Sequence, residues 1–429
     1  MDCKTAKAFL RTHLVGTAER MRRSETAKRY YLTQNDILFA RPKGESDALR
    51  SADNRIPHSF YPLLVNQKAA YLFADPPVFT TGSENADRAV RRALGASFAK
   101  QCKSLCVRAA NGGLAWIHYW QDRDGAFRYG VLDGADAVPV YSDDLAQELV
   151  AVIRLYQKKV GEKTRRIYEI WDSETCSAFS HDENEDIESG LREERLFGNG
   201  AGRDFRYRHP FGRPPFILFA NNEEMRTDLE SIKSLIDMYD LTYSGFANDL
   251  EDIQEVILTL SGYSGTDLTE FLTDLKKYKV IKLDDWNENS GVDTLSIEIP
   301  VQAREKMLEI TRKAIFEEGQ GVDPQQTDFG NASGVALQFM YSLLELKAGL
   351  TETEFRCGFE QLVRAIGRLY GIRLGDIGQI WTRTAVRNDR ELSEIAAEST
   401  GILSRQTVIA RHPWVENPAE EMARLTEEG

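Results

Sequence analysis

Cysteine is scarce in this chain of 429 residues, with five at positions 3, 102, 106, 176 and 357 and no CxxC pair among them. An odd number without paired spacing excludes a disulfide framework. Cys102 and Cys106 stand one helical turn apart, but no second pair completes a metal set, and both read as core residues. The six histidines are scattered; His118 sits in a strand-like stretch and reads as part of it, not as a ligand or base. No apolar run approaches the roughly 18 residues that span a bilayer. The opening "MDCKTAKAFLRTHLVG" lacks the uninterrupted apolar core and cleavage site of a signal peptide. It reads as an amphipathic helix with Phe9, Leu10, His13 and Leu14 near one face, and a cytoplasmic location is expected. Positive charge is in deficit too: 54 Lys and Arg against 67 Asp and Glu leave a net charge of −13. That argues against a nonspecific grip on nucleic acid, which needs Lys and Arg to displace phosphate counterions. It leaves room for DNA that is passed over and not held.

Catalytic signatures are missing as well. No GxSxG elbow and no HExxH helix occurs, and no two carboxylates are singled out as an acid–base pair, so no catalytic residue and no cofactor is assigned. A glycine-rich stretch, "GQGVDPQQTDFGNASGVALQF" (319–339), invites a nucleotide reading. A P-loop, however, follows a strand and supplies a Lys to the phosphates. This one follows a helix-like segment and contains neither Lys nor Arg. The best metal candidate is "DENEDIESGLRE" (182–193), where Asp182, Asn184, Asp186 and Glu193 fall at positions 1, 3, 5 and 12 of a calcium loop. The sixth position needs Gly for its turn and is Ile187. A solvated acidic loop is the better reading, and no metal is assigned.

With 42% apolar and 28% charged residues, the composition is that of an ordinary globular protein long enough for two or three domains. The pattern predicts a helix-rich α+β fold. In the first half, 59–73 reads as a helix that ends before Asp75-Pro76-Pro77. Residues 114–120 and 126–132 read as a hairpin turned by Asp124-Gly125. Strands are expected at 149–156 and 165–171, 180–204 reads as a mobile polar surface loop, and "RPPFILFANN" (213–222) closes the region.

The second half is helical. Leu229, Ile232, Ile236, Tyr239, Tyr243, Phe246, Leu250 and Ile253 are spaced alternately by three and four, a heptad seam that predicts one helix over 224–252. Thr227 and Glu230 match a capping box at its start. At 1.5 Å per residue such a helix is roughly 43 Å long and needs a packing partner. The expected partner is 300–318, with Pro300 in its first turn and Ala303, Met307, Ile310 and Ala314 along one face. Between them, 254–299 reads as a small α/β insertion with strands at "KVIKL" and "TLSIEI" and an acidic turn at "DDWNENSGVD". Beyond the glycine-rich loop, helices resume at 334–350 and again at 351–372.

The order of these elements resembles the portal proteins of tailed bacteriophages, specifically the family typified by long, non-contractile-tailed phages of Gram-positive bacteria. The resemblance runs from about Tyr30 to Phe355. It is carried by "YYLTQNDIL" (30–38) with "NRIPHSFYPLLVNQKAAYLFADPP" (54–77), by "NNEEMRTDLESIKSLIDMYDLTYS" (221–244), by "SGVDTLSIEIPVQA" (290–303) and by "GQGVDPQQTDFGNASGVALQFMYSLLELKA" (319–348).

The resemblance implies a portal fold in eight parts. An N-terminal helical arm (1–23) precedes an α/β wing (24–223). The stem comprises 224–252 and 300–318, with seam residues Ile232, Ile236, Tyr239, Tyr243, Phe246, Leu250, Met307 and Ile310. A clip (253–299) presents Asp284, Asp285 and Glu288 to partners. A tunnel loop (319–336) carries Gly319, Gly321, Asp323, Asp328, Gly330, Asn331 and Gly334 close to DNA, its glycines supplying backbone freedom. A channel-side helix (337–349) leads to a helical crown with the C-terminal tail (350–429). The family's function would make this a non-enzymatic ring subunit, usually twelve to a virion, at one capsid vertex. Double-stranded DNA passes through such a ring without sequence recognition, and no membrane is involved. Implied partners are the large terminase, a head-completion adaptor, and scaffolding and major capsid proteins, with assembly in the host cytoplasm. The segment 224–252 carries eight Asp and Glu against two Lys and Arg, and that excess would keep DNA sliding if it faced the channel. Two other classes remain: a metal-dependent phosphohydrolase using 182–193, which predicts no large ring, and a head adaptor protein with no channel.

Overall fold

The computed structural model describes residues 1–40, 52–198, 202–252, 257–261, 291–295, 300–325, 334–383, 389–412, 415, 421–422 and 424–426. The chain divides into two compact units. The larger comprises Met1–Gln34, Ser59–Lys233 and Lys313–Gly429, the smaller Asn35–His58 and Ser234–Arg312.

The larger unit opens with α1 (Cys3–Leu14), capped by Asp2, whose side chain accepts from the amide of Thr5. Its buried face is Ala6 and Leu10, with Phe9 and Leu14 partly covered. Next, α2 (Thr17–Tyr31) runs straight through the boundary expected between arm and wing at 23/24. The predicted helix at 59–73 is α3 (Phe60–Leu72). After β1 (Val78–Thr80) come α4 (Glu84–Leu94) and α5 (Phe98–Gly112). Helix α5 buries both Cys102 and Cys106, and burial pushes the Cys106 thiol up to about 11. The predicted hairpin is present as β2 (Leu114–Gln121) and β3 (Phe127–Asp133). Asp122 closes it by accepting from the amides of Asp124 and Ala126.

A six-stranded antiparallel sheet comes next. Its strands are β4 (Ala137–Tyr141), β5 (Leu149–Val160), β6 (Lys163–Trp171) and β7 (Thr175–Asp182), then, beyond the single turn α6 (Ile187–Gly190), β8 (Arg192–Glu193) and β9 (Arg206–Arg208). Both β8 and β9 pair with β7, and Phe197 bridges Asp204. Much of the stretch expected to be a mobile loop is therefore tied to the sheet. Its polar composition hid that, because β7 buries small and polar residues such as Ser177, Ser180 and His181 in place of large apolar ones. Strand β10 (Phe216–Ala220) joins β2 and β3 in a second, three-stranded sheet.

The smaller unit contains most of α7 (Lys233–Asp252), the antiparallel pair β11 (Ile257–Ser261) and β12 (Gly291–Leu295), and the first two-thirds of α8 (Val301–Glu318). Helix α7 starts later than the predicted 224, since residues 228–232 form turns. The capping-box residues instead shape that turn, with Glu230 accepting from the amide of Thr227 at 2.8 Å. The expected strand "KVIKL" and the residues Asp284, Asp285 and Glu288 lie outside the described residues.

Back in the larger unit, α9 (Gly334–Leu369) is one continuous helix of 36 residues. The predicted break between a channel-side helix and a crown at 349/350 is absent. Phe355, Phe359, Leu362, Val363 and Ile366 are instead central to the main hydrophobic core, with Leu72, Phe73, Leu105 and Phe219. The rings of Phe355 and Phe359 meet Phe219 at 5.2 and 5.0 Å. Strand β13 (Gly378–Ile380) pairs with β1, and α10 (Asp389–Glu398) and α11 (Arg405–Arg411) complete the described chain.

Candidate functional site at the base of the glycine-rich loop

Helix α8 ends in a Schellman motif. The amide of Gly321 donates to the carbonyl of Phe316 at 2.9 Å and that of Gln320 to Glu317 at 3.2 Å. The left-handed position of this motif usually falls to Gly, yet it is occupied by Gln320, at φ 52°. The glycines on either side have a different task. A Cβ on Gly319 would come within 2.7 Å of Leu64 Cδ1, and one on Gly321 would overlap Leu64 Cδ2. These two glycines allow the chain to lie against α3; the expected gain in backbone freedom is not their role at this spot.

Helix α3 also holds the chain beyond Gly321. The side-chain amide of Gln67 donates to the carbonyl of Val322 at 2.8 Å and accepts from its N–H at 3.1 Å. One residue on, the ammonium of Lys68 is fully buried. It donates to Asn221 Oδ1 at 2.6 Å and pairs with Asp228 at 2.7 Å. Lys347 of α9 pairs with the same carboxylate at 3.1 Å and donates to the carbonyl of Gly319 at 2.9 Å. Asn221 Nδ2 also donates to Asp228, at 2.7 Å. Burial opposes the charge on Asp228, but the attraction of Lys347 and Lys68 overcomes it, and the carboxyl is held far below the usual range. Burial likewise lowers Lys347, with Asp228 opposing. Two ammonium groups and one carboxylate thus join the end of α8, the turn that leads into α7, strand β10 and the middle of α9.

Sequence reasoning missed this cluster, although the signal was present. Lys68 and Lys347 each interrupt an apolar helical face, in "VNQKAAYLF" and "LLELKAGL". Of the residues expected near DNA, Asp323 is buried and accepts from the amide of Gln325 at 3.0 Å. Gly334 is the first residue of α9. Asp328, Gly330 and Asn331 lie outside the described residues.

The smaller unit shows what much of the two segments expected to form a stem contacts. Residues Asn54–His58 run along α7 and are held by a polar stripe at helical spacing. Asp240 is buried and accepts from His58 N at 2.9 Å, His58 Nδ1 at 2.8 Å and Asn35 Nδ2 at 2.6 Å. Ser244 Oγ accepts from the amide of Ile56, Asn248 from that of Asn54, and Glu251 from the Asn54 side chain. The expected seam residues Tyr239 and Tyr243 face the ring of His58, each at 4.7 Å. Helix α8 meets α7 through Arg304, which pairs with Asp249 and lies over Phe246. The face expected to make that contact, Ala303, Met307 and Ile310, is exposed, as is Leu250. The acidic excess of 224–252 is also largely consumed. Asp228, Glu230, Asp240, Asp249 and Glu251 are all engaged by the protein's own groups.

At the calcium-like segment, Asp182 pairs with Lys163, Arg165 and Arg192, and Asp186 caps α6 by accepting from Ser189. Glu193 lies in β8, and Asn184 in the turn before α6. Among the described residues no group of three His, Cys, Asp or Glu could hold a metal ion. None of their helices is long and apolar enough to cross a membrane.

A family model described as "Phage portal protein, SPP1 Gp6-like" matches residues 15–429. The chain belongs to this portal protein family. Two portal proteins are similar along nearly the whole length. That of Clostridium phage phiCD119 is 38% identical, the match covering 95% of this chain and 93% of the relative. That of Bacillus phage SPP1 is 30% identical, covering 93% and 82%. Among solved structures, the neck of a native GTA particle computed with C12 symmetry matches with a TM-score of 0.48, 11% identity and coverage of 91% and 93%. As in other portal families, the product is a virion component. The signature "NRIPHSF" gains a physical role from its contacts: it is the segment that lines the polar stripe of α7.

Proposed function

We propose that copies of this portal protein join head-to-tail into a closed ring, and that double-stranded DNA passes through its central channel during packaging and ejection. The observation that carries the reading is an apolar stripe left exposed among the described residues. On α9, Phe339, Leu343, Leu346 and Leu350 recur at heptad spacing and are all exposed, Phe339 by 81%. Met307 and Ile310 of α8 are exposed in the same way. Burying one such side chain contributes about 1.5–3 kcal/mol, and a contact between two different patches closes a ring when the rotation fits. In this reading the stem is 224–252 with 300–318, the clip 253–299 faces the terminase and adaptor, and the tunnel loop starts from the anchored base at Gly319–Val322. The crown begins only after Leu369. The subunit performs no bond chemistry, ATP being hydrolysed by the terminase, and the ring stands at one capsid vertex.

The test is the native mass of the purified protein by light scattering, with electron images of the same fraction. Rings of about twelve subunits with a central hole are expected. A stable small oligomer without a channel overturns the proposal.

A further inference from the structure

Between Arg88 and Gln121 the chain carries six basic residues and no Asp or Glu, in a protein whose net charge is −13. Two of the six line one cleft of about 1110 Å³, whose lining also includes the carboxylate of Asp124. Arg88 and Arg92, one turn apart on α4, line one side of it, and Arg128 of β3 lines another part. Arg88 and Arg128 lean on Glu84 and Asp122. Arg92 has no carboxylate partner among the described residues, nor do the exposed Arg91, Lys100 and Lys103 nearby in sequence. The cleft also receives the residues before α5, whose positive dipole end is left open because Ser97 makes no side-chain capping bond. Its lining is not all polar. Ala93 and Tyr129, both half-buried, contribute apolar surface, and the Tyr129 hydroxyl is tied to the carbonyl of Leu94 at 2.9 Å.

We propose that this cleft docks an acidic peptide segment of another protein, with carboxylates on Arg88, Arg92 and Arg128 and an apolar side chain on Tyr129 and Ala93. Three considerations select that occupant. The charge calls for an anion, and the planar donors of a guanidinium meet two oxygens of a carboxylate or a phosphate alike. The volume exceeds the roughly 300–1,000 Å³ of small-ligand pockets. The apolar lining is covered by a side chain but would stay bare under a phosphate backbone, and that decides for a peptide.

Fluorescence anisotropy on the full-length protein tests it. The probe is a labelled peptide of about twelve residues, Asp and Glu flanking a Leu-Ile-Leu core. Arg88→Glu with Arg92→Glu is expected to weaken binding at least about tenfold, with thermal midpoint and native mass unchanged. Arg92→Gln, which keeps shape and removes one charge, provides a milder loss should the double reversal fail to fold. The same reversal at Lys158 and Lys159, exposed basic residues of β5, is expected to leave binding within about threefold. Replacing the Leu-Ile-Leu core by Ser is expected to weaken it as well. The proposal is overturned if the peptide does not bind the wild-type protein, or if the two reversals cost the same. It is also overturned if a short DNA duplex binds more tightly than the peptide and loses its affinity through the same arginines.

Discussion

The left-handed residue at the end of α8 is a glutamine between two glycines, and each of the three positions has its own requirement. Gly319 and Gly321 are fixed by contact with Leu64, whereas Gln320 bears the backbone cost, about 1–2 kcal/mol for an L-residue in that region. Gln320→Gly is therefore expected to raise the stability by about 0.5–1 kcal/mol, read as a higher thermal midpoint. Asp228 is the opposite case, a residue whose charge is indispensable. Asp228→Asn leaves Lys68 and Lys347 buried without a counter-charge and is expected to cost about 3–5 kcal/mol. Lys347→Met removes one of two cations facing one anion and should cost clearly less. The pH dependence stems from the depressed carboxyl. Its stabilisation is complete above the unfolded-state value near 4 and is lost progressively as pH falls below that toward the folded-state value. Denaturant titrations of wild type and Asp228→Asn should accordingly converge in acid.

At the level of elements, α3 anchors the loop base and α9 carries the surface proposed for assembly. Gln67→Ala removes both hydrogen bonds to Val322, and exchange of the Val322 amide is expected to accelerate about tenfold with the thermal midpoint little changed. Leu343→Ser with Leu346→Ser is expected to leave the circular dichroism of the subunit intact and to weaken self-association at least about tenfold. Light scattering across a concentration series reads this, and unchanged association would remove α9 from the proposed interface.

Which elements could be read from sequence depended on whether their signal was local. The hairpin was legible because Asp122, Asp124 and Gly125 are turn residues acting over four positions. Helix α8 was legible from Pro300 and its periodicity, but its inward face was not, because Arg304 finds Asp249 and Phe246 only in three dimensions. A break in α9 was expected at the border drawn between the helix ending at Leu350 and the run beginning at Thr351. The helix continues because Thr351 is buried, donating to the carbonyl of Asn221 at 3.1 Å, and Phe355 lies in the core. The cluster around Asp228 joins residues more than a hundred positions apart, and no spacing rule reaches that far. The heptad seam was real as a pattern, yet Tyr239 and Tyr243 serve the segment ending at His58.

For the whole molecule, the core of the larger unit draws on residues from Ala69 to Trp381, so nearly the entire chain must be synthesised before that core closes. A protein ending after Arg383, which keeps β13 and Trp381, is expected to retain a thermal midpoint within a few degrees of the full chain, about 1 kcal/mol or less for a unit of this size. Ending it after Leu369 would remove the partner of β1 and lower the midpoint markedly. Differential scanning calorimetry of the two shortened proteins separates these outcomes.

Helix α9 measures about 54 Å at 1.5 Å per residue. Its second half is clamped among aromatic rings, and the described part of its first half is held on one side by Tyr71 against Tyr341, by buried Leu344 and Ala348 and by Lys347 on Asp228. In mechanical terms it is a beam with supports along one side. A sideways push at Phe339 is met first by Tyr71 and by the ion pairs of Asp228, and what they pass on reaches Phe355 and Phe359 and, through their rings, the strand that holds Phe219. Resistance to such a push is shared between a buried charge cluster and three fitted rings.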